Sequence, residues 1–390
     1  MTSLFEREAR VIMRTYARAP VTFVAGEGSW LVDSDGNRYL DFLTGLAVTS
    51  VGHANPSVAA AVAAQMERLV HVSNLYYTEP MVELAEALVQ RSGLDRVFFC
   101  NDGATANEAA IKLARRHGQK TGGPDRYRIV SLDDSFHGRT LATLAATGQP
   151  AKQATFQPLP PGFVQVPPGD IGAMEEVVDD TVAAVMVETT QGEGGVRPLE
   201  PDYLVALRRL CDERGALLVV DDVQAGMGRT GTWFSWQQLG FSPDIATTAK
   251  ALANGLPIGA CMAREEVASA FEPGDHATTF GGGPVVCAAA LAVIDEIESR
   301  DLLANCKERS EQLMAGLADL PGVKDVRGRG LLVAAQLDGE IAGDVARRAL
   351  LEGRLVVNPV RPDAIRFAPP LSVSAAEVDE ALERFASTLA

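Results

Sequence analysis

The sequence predicts an α/β protein built on a mainly parallel sheet. Short apolar runs alternate with longer stretches of helical spacing, and this alternation is how strands joined by crossover helices read in sequence. Strands are expected at Arg96–Cys100, Arg128–Leu132, Ala183–Glu188, Ala216–Asp221 and Asp244–Thr248. Between them, Asn55–Val70 and Met81–Arg91 carry apolar residues at helical spacing, and Asp202–Arg214 ends in basic residues followed by Gly215, a left-handed stop. From about Leu291 the pattern changes to a long helix, a strand at Leu331–Leu337, another helix and a strand at Ile365–Leu371. Ser29–Asp41 reads as a hairpin around Asp35-Gly36. The expected organisation is therefore an N-terminal segment, 1–45, packing with a small C-terminal domain, 286–390, beside a large domain at 46–285.

Composition narrows the class of partner. The 390 residues are 47% hydrophobic and carry a formal net charge of −16. Nucleic acid and anionic membranes recruit clustered Lys and Arg, so neither is expected as a partner. Cys100, Cys211, Cys261, Cys287 and Cys306 are scattered, which points to neither disulfides nor zinc, and His53, His71, His117 and His276 show no ligand spacing, so no metal is expected. Glu6, Arg7, Glu8 and Arg10 stand where a secretory signal needs apolar residues, and a cytoplasmic location follows as the expectation.

Chemistry is sought just beyond the carboxyl ends of strands, where open α/β sheets bind ligands. Three segments qualify. Phe98–Cys100 runs through Asn101, Asp102 and Gly103 into an expected helix at Ala104–His117; its start offers free N–H groups to a phosphate, or Asp102 is an ordinary N-cap with Arg115, Arg116 and Gly118 closing the far end. Leu217–Val220 ends on Asp221, an acid that needs a cation, either a structural partner or a protonated pyridine nitrogen. Asp244–Thr248 leads to Lys250 among small residues; buried, this lysine would lose its proton and become a nucleophile, and exposed it would merely end a strand. The run Gly226-Met227-Gly228-Arg229-Thr230-Gly231 formally spells a dinucleotide fingerprint, but Thr232–Trp236 follows instead of a helix, so it reads as a turn.

Taken with Ser135-Phe136-His137-Gly138-Arg139-Thr140, Gln191-Gly192-Glu193-Gly194-Gly195, Asp221-Asp222-Val223-Gln224 and Thr279-Phe280-Gly281-Gly282, these segments stand in the order and spacing of class III aminotransferases, which the chain resembles over nearly its whole length. Asn74–Pro80 and Arg366-Phe367-Ala368-Pro369-Pro370-Leu371 are similar to the acetylornithine aminotransferase branch. The resemblance implies fold type I of the pyridoxal-phosphate transferases, with pyridoxal 5'-phosphate as cofactor. It implies Lys250 as the Schiff-base lysine and proton shuttle, and Asp221 as the partner of the ring nitrogen. The Gly103 and Ala104 amides would bind the phosphate, Phe136 would stack on the ring, and Asp222, Val223 and Gln224 would be further contacts. Thr279 would reach the phosphate of a partner subunit, making a homodimer with a shared site. Arg139 would hold the carboxylate distal to the reacting amine, and Arg366 the α-carboxylate of a 2-oxo acid. Glu193 would cover Arg366 while an ω-amine donor is bound, with Thr278 near that donor. His137 would either contact the cofactor or only brace its turn, and bracing is the expectation.

The implied activity is transfer from N2-acetyl-L-ornithine to 2-oxoglutarate in arginine biosynthesis, the alternative being another ω-amine donor: succinylornithine, ornithine, γ-aminobutyrate or a specialised amine. The chain departs from the family pattern at Asp102, Thr105, Thr189, Thr190, Asp222, Ala225 and Gly283. A carboxylate beside a phosphate dianion is repulsive, so Asp102 must turn away, find a cation or weaken cofactor retention, and a modest weakening is expected.

Overall fold

The computed structural model describes residues 4–389 and centres on a seven-stranded sheet. Its order is Arg96–Cys100, Gly259–Ala263, Ile245–Thr248, Leu217–Asp221, Val182–Val187, Arg128–Leu132, Phe163–Val166. Gly259–Ala263 runs antiparallel to both neighbours, and the other pairings are parallel. Every residue of Val182–Val187 and Leu217–Asp221 is buried, which explains why these strands read as unbroken apolar runs without alternation. Alternate residues serve two different layers. Ala184 and Met186 pack with Ala109, Ala110 and Leu113 of the helix Gly103–Gly122, while Val185 and Val187 join a core containing Leu84, Leu88, Leu207 and Val293. Each such Val or Leu contributes about 1.5–3 kcal/mol by burial.

The helix Gly103–Gly122 runs past the expected end at His117. Gly118 does not terminate it but lets it lie close to its neighbours, since a Cβ there would come 2.6 Å from the Arg126 carbonyl oxygen and 2.9 Å from Ala183 Cβ. The stop is Gly123, at φ +90°.

Two further four-stranded sheets flank the large one. In the first, Phe23–Glu27, Trp30–Asp33 and Arg38–Asp41 form antiparallel pairs, and Arg38–Asp41 pairs in parallel with Leu355–Val356. The hairpin turn is held by the Asp33 carboxylate, which accepts from the amides of Asp35 and Asn37 at 2.9 and 2.8 Å. The second comprises Val323–Arg329, Leu332–Leu337, Ala364–Phe367 and Asn358–Arg361, all antiparallel. The strand expected to reach Leu371 stops at Phe367, because Pro369 and Pro370 lack N–H donors and the Ala368 and Leu371 amides go instead to the carbonyls of Phe42 and Ser50. Among the described residues, no helix is long and apolar enough to cross a membrane.

Candidate active site

Because the parallel strands and Arg96–Cys100 all point the same way, their carboxyl ends share one edge, and a cavity of about 400 Å³ opens there. Gly103, Ala104, Phe136, Asp221, Val223, Gln224 and Lys250 line it, together with Arg139 and Glu193. Sequence positions up to 147 apart are thereby brought to one wall.

Asp221, 4% exposed, ends its strand with both carboxylate oxygens engaged. Asn107 Nδ2 donates to Oδ2 at 2.7 Å, His137 Nδ1 lies 2.8 Å from the same oxygen, and the Val223 amide donates to Oδ1 at 3.1 Å. Asn107 is itself fixed, donating to the His137 carbonyl at 2.7 Å and accepting from Thr247 Oγ1 at 2.7 Å. Burial works to lower the His137 pKa, but the hydrogen bond and charge of Asp221 outweigh it and raise the imidazole above its ordinary range. Its Nε2 is buried without a partner. His137 therefore does more than brace a turn: it stands behind the carboxylate and supports its charge.

Lys250 sits at φ +41°, a conformation costing a non-glycine residue on the order of 1–2 kcal/mol and common where function fixes the backbone. Burial first, and the Arg366 guanidinium second, hold its pKa below the ordinary lysine range, against the opposing pull of Glu193, Asp221 and Glu188. A depressed amine is a better nucleophile and base near neutrality.

At the start of the helix Gly103–Gly122, Asp102 is the N-cap. Its Oδ1 accepts from the Thr105 amide at 2.7 Å and from Thr105 Oγ1 at 3.0 Å, while Thr105 Oγ1 accepts from the Asp102 amide at 3.0 Å. The two departures from the family pattern thus form one reciprocal cap, and the carboxylate is turned onto the helix. Gly103 is needed by space, since a Cβ there would lie 2.6 Å from Val223 Cγ1. The amides at this helix start remain available to an anion.

At the other end, Arg366 is 1% exposed and donates through Nη1 to Glu193 Oε1 at 2.7 Å, to the Gly192 carbonyl at 3.2 Å and to Gln224 Oε1 at 3.3 Å, with Nε on Asn358 Oδ1 at 3.0 Å. Burial works to raise Glu193, yet the Arg366 charge and hydrogen bond prevail and keep it below the ordinary carboxylate range. Arg139 is exposed on the rim, 5.7 Å from the Phe136 ring centre. Glu188 joins the two cavity loops, accepting from the amides of Phe136 at 2.9 Å and Gly192 at 3.3 Å; burial pushes its pKa up to about 7.

Four expected site residues do not line the cavity: Arg366 lies behind Glu193 and Gln224, which do, and three others fall elsewhere. Asp222 does not line the cavity, because consecutive residues leaving a strand point to opposite sides; it is wholly buried, accepts from the Ser235 amide at 3.0 Å, and is pushed by burial up to about 7. Thr278 and Thr279 line a neighbouring hollow of about 730 Å³ with Ser73 and Asn74. Thr278 Oγ1 is 3.5 Å from Asn101 Oδ1, and Asn101 does line the cavity, so Thr278 stands one residue behind that wall. Asn107 and Glu188 were not anticipated. Glu188 closes an apolar strand as Asp221 does and was findable by that rule, whereas Asn107 lies inside a helix with no local signal.

Residues 11–389 match the model of the family described as Aminotransferase class-III. The chain belongs to the class III aminotransferases. It is 52% identical over 376 residues to the acetylornithine aminotransferase of Gloeobacter violaceus, covering 95% of this chain and 94% of that protein. The solved ornithine aminotransferase of Toxoplasma gondii is 33% identical with a TM-score of 0.94, covering 99% of this chain and 94% of that one. The N-acetylornithine aminotransferase structure from Stenotrophomonas maltophilia is 35% identical with a TM-score of 0.85, covering 99% and 98%. This class III aminotransferase is a pyridoxal-phosphate enzyme with the fold expected from its sequence. Its cavity fits that cofactor: a depressed buried amine at one side, a fixed carboxylate at the end of a strand, and a helix start kept open by Gly103 are the three groups that an aldehyde, a pyridine nitrogen and a phosphate require.

Proposed function

We propose that this aminotransferase moves the amino group of N2-acetyl-L-ornithine to 2-oxoglutarate, forming N-acetyl-L-glutamate 5-semialdehyde and L-glutamate, as a step of arginine biosynthesis. The observation that carries the reading is the buried Arg366 lying behind Glu193, which lines the cavity that holds Lys250, in a chain about half identical to relatives of that name. A donor amine at the end of an aliphatic chain brings no carboxylate to Arg366, and the Glu193 cover keeps that guanidinium paired. A dicarboxylate acceptor offers its own carboxylate in exchange, so one cavity serves both partners.

The residues divide the work. Lys250 holds the cofactor and, when freed, moves the proton at the amine-bearing carbon through Nζ, for which a neutral amine is required. Asp221, held by Asn107 and His137, keeps the ring nitrogen protonated. The Gly103 and Ala104 amides take the phosphate, Phe136 covers a ring face, Val223 and Gln224 contact the ring, and Arg139 on the rim takes the distal carboxylate. Bound there, pyridoxal 5'-phosphate supplies the carbonyl that accepts the amino group and the ring that withdraws electrons from the substrate carbon.

We further place the protein in the cytoplasm as a homodimer, with Thr279 reaching the partner's phosphate and Thr278 near the donor. Support comes from the exposed Leu75, Tyr76, Tyr77 and Phe280, an apolar surface next to the hollow lined by both threonines. The division at 45 and 285 is retained as the domain proposal, since the two smaller sheets draw on residues 23–41 with 355–356 and on 323–367. The second reading is a different ω-amine donor (ornithine, succinylornithine, γ-aminobutyrate or a specialised amine), favoured by the likeness to the Toxoplasma gondii ornithine aminotransferase. Holoenzyme offered each donor with 2-oxoglutarate separates the two: N-acetylornithine should give the highest kcat/KM, and a tenfold advantage for any other donor would replace it.

A further inference from the structure

Three guanidinium groups of the C-terminal sheet converge on the loop that carries Glu193. Arg366 donates to the Gly192 carbonyl at 3.2 Å, Arg361 Nε to the Gly194 carbonyl at 3.1 Å, and Arg327 Nε to the Gly195 carbonyl at 2.9 Å. They come from three different strands, Ala364–Phe367, Asn358–Arg361 and Val323–Arg329. The glycines make the approach possible. At Gly195, φ +104°, a Cβ would lie 3.1 Å from Arg361 Cγ and 3.3 Å from Arg327 Nη2; at Gly192 it would meet Gln224 Oε1 at 1.7 Å. Each outer arginine is itself tied down: Arg361 Nη2 is 2.5 Å from Asp134 Oδ1, and Arg327 Nη1 donates to Gln336 Oε1 at 3.0 Å. Asp134 precedes the turn that bears Phe136, so Arg361 joins both cavity loops to the sheet that bears Arg366.

Neither Arg327 nor Arg361 lines the cavity, and each gives its Nε to a main-chain carbonyl of the loop, Gly195 and Gly194 respectively. What they fix is a main chain. A loop of four residues containing three glycines has little intrinsic rigidity, because glycine leaves more backbone conformations open than any other residue. Without external donors, the Glu193 carboxylate would sample positions away from Arg366 by loop motion alone. With all three carbonyls held from one sheet, loop and Arg366 share a frame, and only the Glu193 side-chain torsions remain free. We infer that Arg327 and Arg361 are positioning residues that clamp the Gly192–Gly195 backbone, so that Glu193 leaves and regains Arg366 by side-chain rotation alone, and that this clamp sets the preference for an ω-amine donor over an α-amino dicarboxylate.

The inference rests on the reading that Glu193 covers Arg366 while the donor is bound. It is tested on holoenzyme by single-turnover half-reactions, followed by cofactor absorbance, with N-acetylornithine and L-glutamate as separate donors. Arg361→Met and Arg327→Met should each lower the ratio of second-order rate constants, N-acetylornithine over glutamate, by about tenfold. Arg361→Lys and Arg327→Lys, which keep the charge but lose the planar fork, should give a smaller fall in the same direction and serve if the methionine variants fold poorly. In a Glu193→Gln background the arginine substitutions should change the ratio by less than about twofold, because the carboxylate they position is gone. A merely structural role would depress both half-reactions together and persist in that background. If Glu193→Gln lowers the ratio and neither arginine substitution does, the clamp is wrong and the function stands. If wild-type holoenzyme uses no ω-amine donor, the proposed function falls, and the clamp with it.

Discussion

The two sheets that meet at the cavity handle charge in opposite ways. At the edge of the large sheet, Asp221 has three donors, two on one oxygen, and these are cross-linked to each other through Asn107 and His137. On the C-terminal sheet, Arg366 is as deeply buried, yet its one carboxylate partner is a side chain on a glycine-rich loop that is 29% exposed. The first arrangement has no second state to go to. The second is built so that one anion can replace another. The difference teaches where the chemistry is fixed and where the choice of substrate is made.

Removing the group at the centre of the fixed side should have the largest effect. Lys250→Ala is expected to lower transamination by about 10³-fold or more, measured by glutamate formation from N-acetylornithine and 2-oxoglutarate. Retained wild-type turnover would remove Lys250 from the mechanism.

On the exchangeable side, Arg366→Met should raise KM for 2-oxoglutarate on the order of a hundredfold, as losing one partner of a buried charge pair costs about 2–5 kcal/mol, while the N-acetylornithine half-reaction changes less. The same substitution has a signed pH effect. Arg366 is the second cause of the depressed Lys250 pKa, so its loss raises that pKa and protonates the amine at higher pH. The acid limb of the donor half-reaction should therefore move to higher pH. A limb that stays put, or a loss shared equally by both half-reactions, would erase the contrast between the sheets.

A third variant sharpens the fixed side. Asp222 has a folded pKa of about 7 against 3.8 for an ordinary aspartate, so between these values the folded chain binds a proton that the unfolded chain has released. Stability is therefore unaffected below about pH 4, falls as pH rises towards 7, and carries the whole penalty above it, up to about 4 kcal/mol for a shift of this size. Asp222→Asn should raise Tm at pH 8 and leave it nearly unchanged at pH 4. An equal gain at both pH values would mean that the carboxylate is not the source. The smallest effect is expected at Asp102→Ser, which keeps an N-cap while removing a negative charge near the phosphate end. Pyridoxal 5'-phosphate affinity should rise by less than about fivefold, and equilibrium dialysis showing none would close that question.

Much of this was legible in the residues because it was local. Arg96–Cys100 and Arg128–Leu132 are strands with the expected limits, each a run bounded by turn residues. Lys250 and Asp221 stood out because each follows an apolar strand. Gly259–Ala263 was missed since Gly-Ala-Cys-Met-Ala contains none of the β-branched or aromatic residues that mark strands; its place between two neighbours decides its conformation. Asn107 escaped for a related reason: its partners His137, Asp221 and Thr247 lie 30, 114 and 140 residues away. Asp222 was assigned with its neighbours because spacing along a motif does not say which side of a strand end a residue leaves from.

The reversed strand at Gly259–Ala263 has a mechanical outcome for Lys250. A parallel successor to Ile245–Thr248 would have required the chain to travel to the far edge and back, a dozen residues or more. Here Ala249–Ile258 leaves and re-enters at the same edge, with Thr248 paired to Ala260, so the lysine rides on a short tether pinned at both ends. Its reach is then the length of its own side chain, and Nζ is delivered within the cavity by the swing of four methylenes.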